Sequence, residues 1–409
     1  MAKRVVLAYS GGLDTSVAVR WLQEERDVEV ICVAANVGQE GCDDQAAWEA
    51  IRQRALDTGA VAAEVVDCRD EFARDFLLPA LKANVAYEGK YPLVSALSRP
   101  VIVRHLVAAA RRHGADAVAH GCTGKGNDQV RFEVGVRALA PDLEILAPVR
   151  EWGMTREDCI DYAARKGIAI TATKEKLYSI DDNIWGRAIE CGEMEDPWAA
   201  PPQGVWSMTV PTATEPRELV VGFEHGEPVM VDGTPMSPAA LVAHMNAVVG
   251  AYGWGRLDMV ENRRVGIKSR ETYEAPGALA LLAAHADLED LTLDRDLHHE
   301  KARLEPRWSE LVYDGLWFSP LRAALDAFFE ESQRFVTGEV RLRLEPGRCF
   351  VNGRRSDWSL YDYGLATYDA ADNFRHQDAE GFVRLWGLGT QVQATRQAIP
   401  AGVEPGGRP

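Results

Sequence analysis

The 409-residue sequence lacks the features that mark secreted and membrane proteins. No apolar stretch approaches the roughly 20 residues that a membrane-spanning helix needs, and the N-terminus carries a short strand-like run in place of the long apolar segment of a signal peptide. The seven cysteines are odd in number, widely scattered and form no Cys-x-x-Cys pair, which argues against a disulfide framework or a zinc knuckle. We therefore expect a reduced, cytoplasmic protein with room for two or three domains.

The sequence is also short of clustered positive charge. Its net charge is −17, and its basic residues come together in short runs such as Arg111-Arg112. Proteins that bind tRNA or duplex DNA take much of their affinity from contacts between phosphates and a basic face. The charge therefore favours small-molecule substrates, and we expect neither a nucleic-acid nor a membrane partner.

The first 170 residues alternate short apolar segments with amphipathic ones. This alternation indicates an α/β domain over residues 1–170 with a doubly wound parallel sheet, in which ligands bind at the carboxyl ends of the strands. The predicted helices span residues 14–25, 43–58, 69–83, 99–113, 128–138 and 155–166. The predicted strands are Arg4–Ala8, Val28–Ala34, Val61–Val66, Asp116–Ala119 and Leu143–Ala147.

The pattern changes after residue 170. Five prolines between residues 197 and 216 oppose long helices in that region. Beyond them, strand patterns cover residues 218–223 and 228–231, helix patterns cover 237–250, 277–291 and 319–335, and a hairpin-like pair covers 338–344 and 348–352. We predict a second, α+β domain over residues 171–390 and a partly disordered tail over residues 391–409.

A turn rich in glycine and hydroxyl groups follows the first predicted strand, where residues 8–16 read AYSGGLDTS. Glycines let the backbone approach an anion closely, and the helix that follows directs its unpaired N–H groups to the same place. Ser10, Thr15 and Ser16 add hydroxyl donors. The Walker A pattern GxxxxGK[ST] is absent, and the turn instead resembles the SGGxDS loop of the PP-loop ATP pyrophosphatases. Taken alone, such a turn is also compatible with a simple tight turn.

A second loop with three glycines follows the fourth predicted strand, where residues 120–133 read HGCTGKGNDQVRFE. Thr123, Asn127, Asp128 and Arg131 offer a hydroxyl, an amide, a carboxylate and a guanidinium. Such a set suits a zwitterionic amino acid, because Arg131 can hold a carboxylate in a bidentate manner and Asp128 can hold an ammonium. The alternative for this segment alone is a polar helix N-terminus with surface ion pairs.

With these motifs, the chain resembles the argininosuccinate synthase family over nearly its full length. The two loops, the segment at residues 179–183 and VENRRVGIKSRETYEAPG at residues 260–277 match in order and spacing. The resemblance implies an ATP domain, a synthetase and multimerisation domain, and a homotetramer. It also implies ATP-dependent joining of citrulline and aspartate to argininosuccinate through a citrullyl-adenylate, with release of AMP and pyrophosphate. Mg²⁺ is expected on the ATP phosphates, and no protein residue is assigned as a metal ligand.

The resemblance also assigns ligand contacts residue by residue. The ATP contacts are Ala8, Tyr9, Ser10, Gly11, Gly12, Leu13, Asp14, Thr15, Ser16, Ala35 and Gly121. The citrulline contacts are Tyr91, Asn127, Arg131, Ser179, Glu261 and Tyr273. The aspartate contacts are Thr123, Asn127 and Asp128.

Two positions depart from the family pattern, and the acid–base chemistry is not assigned. Ala96 and Ala188 stand where the family carries serines that contact citrulline. Asp128 is only a candidate for a general base, and no catalytic residue is assigned. Asp14 either faces the metal ion or caps its helix. His120 is expected to be a packed histidine at the end of a strand.

Two other readings remain open. Another PP-loop enzyme would be a tRNA thiolase, which should show paired catalytic cysteines and a basic surface, or an amidotransferase, although residue 2 is Ala2 rather than a nucleophilic cysteine. A non-enzymatic ATP-binding sensor of related fold would not need Glu261, Tyr273 or the amino-acid clamp at residues 123–131.

Overall fold

The computed structural model of the protein describes residues 3–170 and 178–398. The chain divides into two units, of which the first runs to Trp358 and the second begins at Ser359. Part of the predicted tail, from residue 399 onward, lies outside the described residues. In the described residues, none of the helices is long and apolar enough to cross a membrane.

The first unit begins with a parallel sheet, which confirms the predicted α/β class. Its strands are β1 (Lys3–Ala8), β2 (Val28–Asn36), β3 (Ala62–Asp67), β4 (Ala117–Ala119) and β5 (Glu144–Leu146). Among the described residues, these five strands pair in the order β3-β2-β1-β4-β5, and the apolar residues Val5, Val6 and Leu7 of the first strand are fully buried. Because β2 and β4 flank β1 on opposite sides, the strand order reverses there, and a crevice for ligands is expected beyond the carboxyl ends of β1 and β4.

Helices cover this sheet. They are α1 (Leu13–Arg26), α2 (Gln45–Thr58), α3 (Arg69–Phe72), α4 (Leu78–Lys82), α5 (Val94–His113), α6 (Asp128–Leu139), α7 (Pro148–Glu151) and α8 (Arg156–Lys166). A π-helical turn at Ala73–Leu77 joins α3 to α4, so the predicted helix over 69–83 is helical from Arg69 to Lys82. The predicted start of α5 at residue 99 is wrong, because Pro100 lies inside the helix rather than in the first turn, where proline is most favoured.

The rest of the first unit holds two antiparallel sheets in the described residues. Its strands are β6 (Ser179–Asn183), β7 (Gly186–Glu190), β8 (Arg217–Glu224), β9 (Glu227–Val231), β10 (Thr234–Pro235), β11 (Arg256–Asn262), β12 (Lys268–Glu274), β13 (Gly338–Glu345) and β14 (Arg348–Arg355). The strand orders of the two sheets are β10-β9-β8-β13-β14 and β11-β12-β7-β6. The helices of this part are α9 (Pro238–Gly250), α10 (Pro276–Thr292), α11 (Arg295–Tyr313) and α12 (Pro320–Ser332).

One apolar core joins the two halves of the first unit. It contains Phe72 and Phe76 from the N-terminal half and Trp185, Trp308 and Phe329 from the second half. The domain boundary at residue 170 stays a prediction. The second unit, described by itself, contains α13 (Tyr363–Ala366), α14 (His376–Trp386) and α15 (Leu388–Gln397).

A buried ionic network lies between α10 and α11. Lys301 and Glu289 are fully buried, and the Lys301 ammonium lies 3.0 Å from Glu289 Oε1 and 2.7 Å from Glu305 Oε1. Asn84 and Gln333 each donate a 2.6 Å hydrogen bond to Glu289. Although burial raises the pKa of Glu289, the neighbouring His285 and Lys301 bring it below its ordinary value. The carboxylate is thus fully satisfied by partners on separate elements.

Removing the lysine should destabilise the protein strongly, because the Lys301→Met variant leaves a buried carboxylate without its counter-charge. We expect a loss of about 3–5 kcal/mol in the free energy of unfolding, measured by urea denaturation at a fixed protein concentration. Arg303→Met is the matched control, because Arg303 on the same helix pairs with Glu300 at the surface and should cost under about 1 kcal/mol. Equal losses in the two variants would contradict the expectation.

Candidate active site

The glycine-rich loop after β1 is built to hold an anion. Gly11 has φ = +74°, a conformation that favours glycine. Gly12 is the N-cap of α1 and offers no side chain to cap it, so the N–H groups of the first turn depend on other partners. Within the loop, Ser10 Oγ lies 3.2 Å from Thr15 Oγ1, and the Gly12 N–H donates to Ser10 Oγ over 3.3 Å. These internal bonds are long and therefore weak, so an anion can replace them.

This loop opens into a cavity of about 510 Å³. The cavity lies at the predicted crevice, since its wall includes residues that follow β1 and residues that follow β4. Six of the predicted ATP contacts line it, namely Ala8, Tyr9, Ser10, Thr15, Ala35 and Gly121. The apolar part of its lining includes Val33, Val37, Trp48, Ile51 and Phe132. We call this space the nucleotide-side cavity.

The other predicted ATP contacts lie in or beneath the loop. Leu13 and Ser16 are buried, and Ser16 Oγ lies 3.1 Å from the Tyr9 hydroxyl. Asp14 is exposed in the first turn of α1 and is not the cap of that helix. His120 is buried at the end of β4, where it stacks on Phe132 and borders the cavity.

A second cavity, of about 240 Å³, brings together every residue predicted to contact an amino acid. They come from the segment before α5, the loop after β4, the first turn of α6, and strands β6, β11 and β12. They are Tyr91, Thr123, Asn127, Asp128, Arg131, Ser179, Glu261 and Tyr273. The lining residues that were not predicted as contacts are Arg99, Gly126, Asp181, Glu190, Arg263 and Glu271, together with Ser95 and Ala188, which lie beside or at the two departures from the family pattern. We call this space the amino-acid cavity.

Arg131 and Asp128 are held rigidly at this cavity. Arg131 Nη1 donates to Asp128 Oδ1 over 2.8 Å, and Arg131 Nε donates to the Tyr313 carbonyl over 3.1 Å. Burial alone would raise the pKa of Asp128, but the guanidinium groups of Arg99 and Arg131 hold it below its ordinary value. A carboxylate stabilised in this way is a weak base. The pairing therefore disfavours Asp128 as a general base.

Glu261 is fixed by two tyrosines. The Tyr273 hydroxyl donates to Glu261 Oε2 over 2.9 Å, and the Tyr313 hydroxyl donates to Glu261 Oε1 over 2.8 Å. Asn127 Nδ2 donates to the same Tyr313 hydroxyl over 2.8 Å, and Tyr91 stacks on Tyr273 with ring centroids 4.2 Å apart. The carboxylate therefore presents a set orientation to the cavity. Tyr313 carried no signal in the sequence, because it ends helix α11, which the sequence pattern did not reveal.

Glu190 adds a carboxyl group whose pKa is higher than usual. Burial, together with the nearby Glu271, raises the pKa of Glu190 to about 7, although Arg263 opposes this shift. Arg263 Nη2 donates to Glu190 Oε2 over 2.7 Å. Glu190 lies opposite Ser179 in the β6–β7 pair, and opposite residues in an antiparallel pair share one face of the sheet. Glu190 is thus a neighbour of a predicted citrulline contact.

One charged cluster separates the two cavities. Arg99, Asp128 and Asp181 line both of them. Arg99 Nη2 donates to Asp128 Oδ2 over 2.7 Å and also bonds Asp181, while its buried Nε atom has no protein partner among the described residues. We call these three residues the partition. A ligand in one cavity therefore lies one side chain away from a ligand in the other.

The two departures from the family pattern lie in different surroundings. Ala96 is buried in the apolar core, whereas the preceding Ser95 lines the amino-acid cavity and its N–H donates to the Tyr91 hydroxyl over 3.0 Å. Ala188 lines the cavity directly. Next to the serine missing at position 96, Ser95 is therefore a hydroxyl residue that lines the cavity.

Comparison with known proteins matches almost the whole chain. The family described as "Arginosuccinate synthase N-terminal HUP domain" matches residues 4–169, and "Arginosuccinate synthase C-terminal domain" matches residues 178–393. Among solved structures, the U34-tRNA thiolase NcsA from Methanococcus maripaludis with its 4Fe-4S cluster is 16% identical, with a TM-score of 0.26. That match covers 42% of this chain and 59% of the thiolase chain, and a likeness this weak carries no inference about function. The two family matches, in order along the chain, show that it belongs to the argininosuccinate synthase family.

Proposed function

We propose that the protein joins citrulline and aspartate to argininosuccinate, with conversion of ATP to AMP and pyrophosphate. The observation that carries the proposal is the partition. An anion-binding loop opens into one cavity, fixed charges suited to amino acids line the other, and Arg99, Asp128 and Asp181 border both. Two substrates held at this distance react as one complex, which removes much of the entropic cost of bringing them together.

ATP occupies the nucleotide-side cavity in this proposal. The loop N–H groups and hydroxyls bind phosphate oxygens, and the apolar wall around Trp48 and Ile51 accommodates the base. In this proposal ATP enters as its Mg²⁺ complex, and Asp14, the one carboxylate of the loop, is the candidate to face that cation. A divalent cation there would favour the charged form of Asp14.

Citrulline and aspartate share the amino-acid cavity. Arg131 supplies a guanidinium for a substrate carboxylate, and Glu261 supplies a fixed carboxylate for an α-ammonium group. Glu190, next to Ser179, adds a second carboxylate on the citrulline side. Thr123, Asn127 and Asp128 remain the proposed aspartate contacts.

The proposed chemistry has two steps. The ureido oxygen of citrulline attacks the α-phosphorus of ATP, the bond to the bridging oxygen breaks, and its electrons leave with pyrophosphate. The aspartate amine, after losing a proton, then attacks the ureido carbon, and AMP departs with the former ureido oxygen. The loop donors stabilise charge on the leaving pyrophosphate. We assign no general base.

The alternative functions have less support. The cysteines of the protein are free thiols at scattered positions, which does not suit the paired cysteines expected of a thiolase. A sensor that only binds ATP would not require the paired tyrosines and carboxylates of the second cavity. The free thiols also support our expectation of a reducing, cytoplasmic location.

The oxygen atom that links the two steps provides the test of the proposed reaction. With citrulline labelled by ¹⁸O in the ureido group, we expect the label in AMP after turnover with aspartate and ATP. Mass spectrometry of AMP reads the result, and omission of citrulline provides the control. Label that stays out of AMP would rule out the adenylate route.

The binding of citrulline should depend on pH through Glu190. Its pKa of about 7 means that the carboxylate, and its attraction for the ammonium, is present above pH 7 and is lost as the pH falls through that value. We expect kcat/KM for citrulline to fall roughly tenfold between about pH 8 and about pH 6. The Glu190→Gln variant should be less active at the higher pH and should lose this dependence. Glu193→Gln, at an exposed position nearby, is the control, and an unchanged profile in Glu190→Gln would remove Glu190 from the site.

We also propose that the protein assembles as a homotetramer. In the second unit, Phe382, Val383, Leu385 and Trp386 of α14 are more than half exposed, and exposed apolar groups of this size often mark an interface. Light scattering should give the mass of four chains at working concentration. A stable monomer would contradict the proposal.

A further inference from the structure

Arg54 reaches the glycine-rich loop from outside the loop sequence. It lies on α2, and its Nη1 atom donates to the Gly11 carbonyl over 2.8 Å. Ile51, one helical turn earlier on the same face, lines the nucleotide-side cavity. A Cβ atom placed on Gly11 would lie 3.4 Å from both Arg54 Nη1 and Ile51. The guanidinium therefore packs against the one residue of the loop whose backbone requires glycine.

The loop itself brings no positive charge to an anion. Residues 8–16 contain a single charged side chain, the carboxylate of Asp14, whereas ATP and pyrophosphate carry several negative charges. Arg54 is close enough to Tyr9, in the cavity wall, for its charge to counteract the burial that raises the pKa of Tyr9. Arg54 is thus a cation in direct contact with the glycine-rich loop, although it is not itself among the lining residues of the nucleotide-side cavity.

Within the described part of the chain, the guanidinium of Arg54 also has no ion-pair partner. Most arginines there form ion pairs, as Arg52 does with Glu49 on the same helix, but no carboxylate of the described residues lies within ion-pair distance of Arg54. Its only protein partner there is the Gly11 carbonyl, which leaves Nε and Nη2 as free donors. An arginine in this state, half-buried beside a loop of N–H donors, is suited to a bidentate contact with phosphate.

We propose that Arg54 binds the pyrophosphate portion of ATP and stabilises it as it leaves. The inference rests on the proposed function and names the cation of its phosphate site. When the bond between the α-phosphorus and the bridging oxygen breaks, the electron pair goes to that oxygen, and the fixed guanidinium stabilises the added charge. Arg54 transfers no proton in this role.

The test compares direct binding of inorganic pyrophosphate and of AMP by titration calorimetry. We expect Arg54→Gln to weaken pyrophosphate binding at least tenfold and to leave AMP binding within twofold. Arg54→Lys should lie between this variant and the wild type, because a lysine keeps the charge but loses the planar fork. Arg52→Gln is the matched control and should bind both ligands like the wild type. In turnover, kcat/KM for ATP should fall in Arg54→Gln, while KM for citrulline at saturating ATP should not change.

The outcomes separate this inference from the proposed function. If the wild type makes argininosuccinate and Arg54→Gln binds pyrophosphate normally, the inference alone is wrong. Equal losses for pyrophosphate and AMP would show that Arg54 only shapes the loop, which also overturns it. If the wild type forms neither AMP nor argininosuccinate, the proposed function fails instead. If circular dichroism shows that Arg54→Gln is unfolded, the test uses Arg54→Lys instead. Equal weakening of pyrophosphate and AMP binding in Arg54→Lys, or no weakening of pyrophosphate binding, would overturn the inference.

Discussion

The arrangement of the site depends on one buried ionic interaction, in which the Arg99 guanidinium lies between the carboxylates of Asp128 and Asp181. Buried charges are costly unless they are paired and hydrogen-bonded, and here Arg131 supplies the second bond to Asp128. Two positive and two negative groups therefore neutralise one another. Because both cavities share this group as a wall, it sets their separation. The wall is polar on both sides, so charged ligands can approach from either cavity without meeting an apolar barrier.

Strand β6 explains how one short segment serves both cavities. Successive side chains of a strand point to opposite faces. Ser179 lines the amino-acid cavity, while Ile180 and Asp182 line the nucleotide-side cavity, and Asp181 borders both. Asn183 then anchors the end of the strand, since its side chain donates to the Val94 carbonyl at the start of α5 over 2.8 Å. The same helix carries Arg99, so this bond holds strand β6 beside the guanidinium that pairs with Asp181.

The parallel sheet and its two loops followed from the sequence because strong local signals mark them. Buried strands such as Val5 to Leu7 are continuous apolar runs, and glycines follow β1 and β4 closely. The antiparallel strands β6, β7, β11 and β12 and helix α11 were not predicted, because Arg, Asp and Glu within them give no clear period. Pro306 also lies inside α11, and an internal proline argues against a helix when only the sequence is read. Arg99 and Tyr313 were missed for another reason. Their importance comes from partners far away in sequence, such as Asp181 and Glu261, which only the folded chain brings near.

The charge balance of the amino-acid cavity also bears on what it selects. Its cationic groups, Arg99, Arg131 and Arg263, already have carboxylate partners from the protein. A substrate carboxylate must therefore compete with a protein carboxylate, and it gains most if its own ammonium compensates the carboxylate that it displaces. A zwitterion can make this exchange without leaving net charge buried, whereas a ligand of one sign cannot. In the proposed function, selection for α-amino acids thus follows from the pairing of the protein's own charges as much as from any single contact.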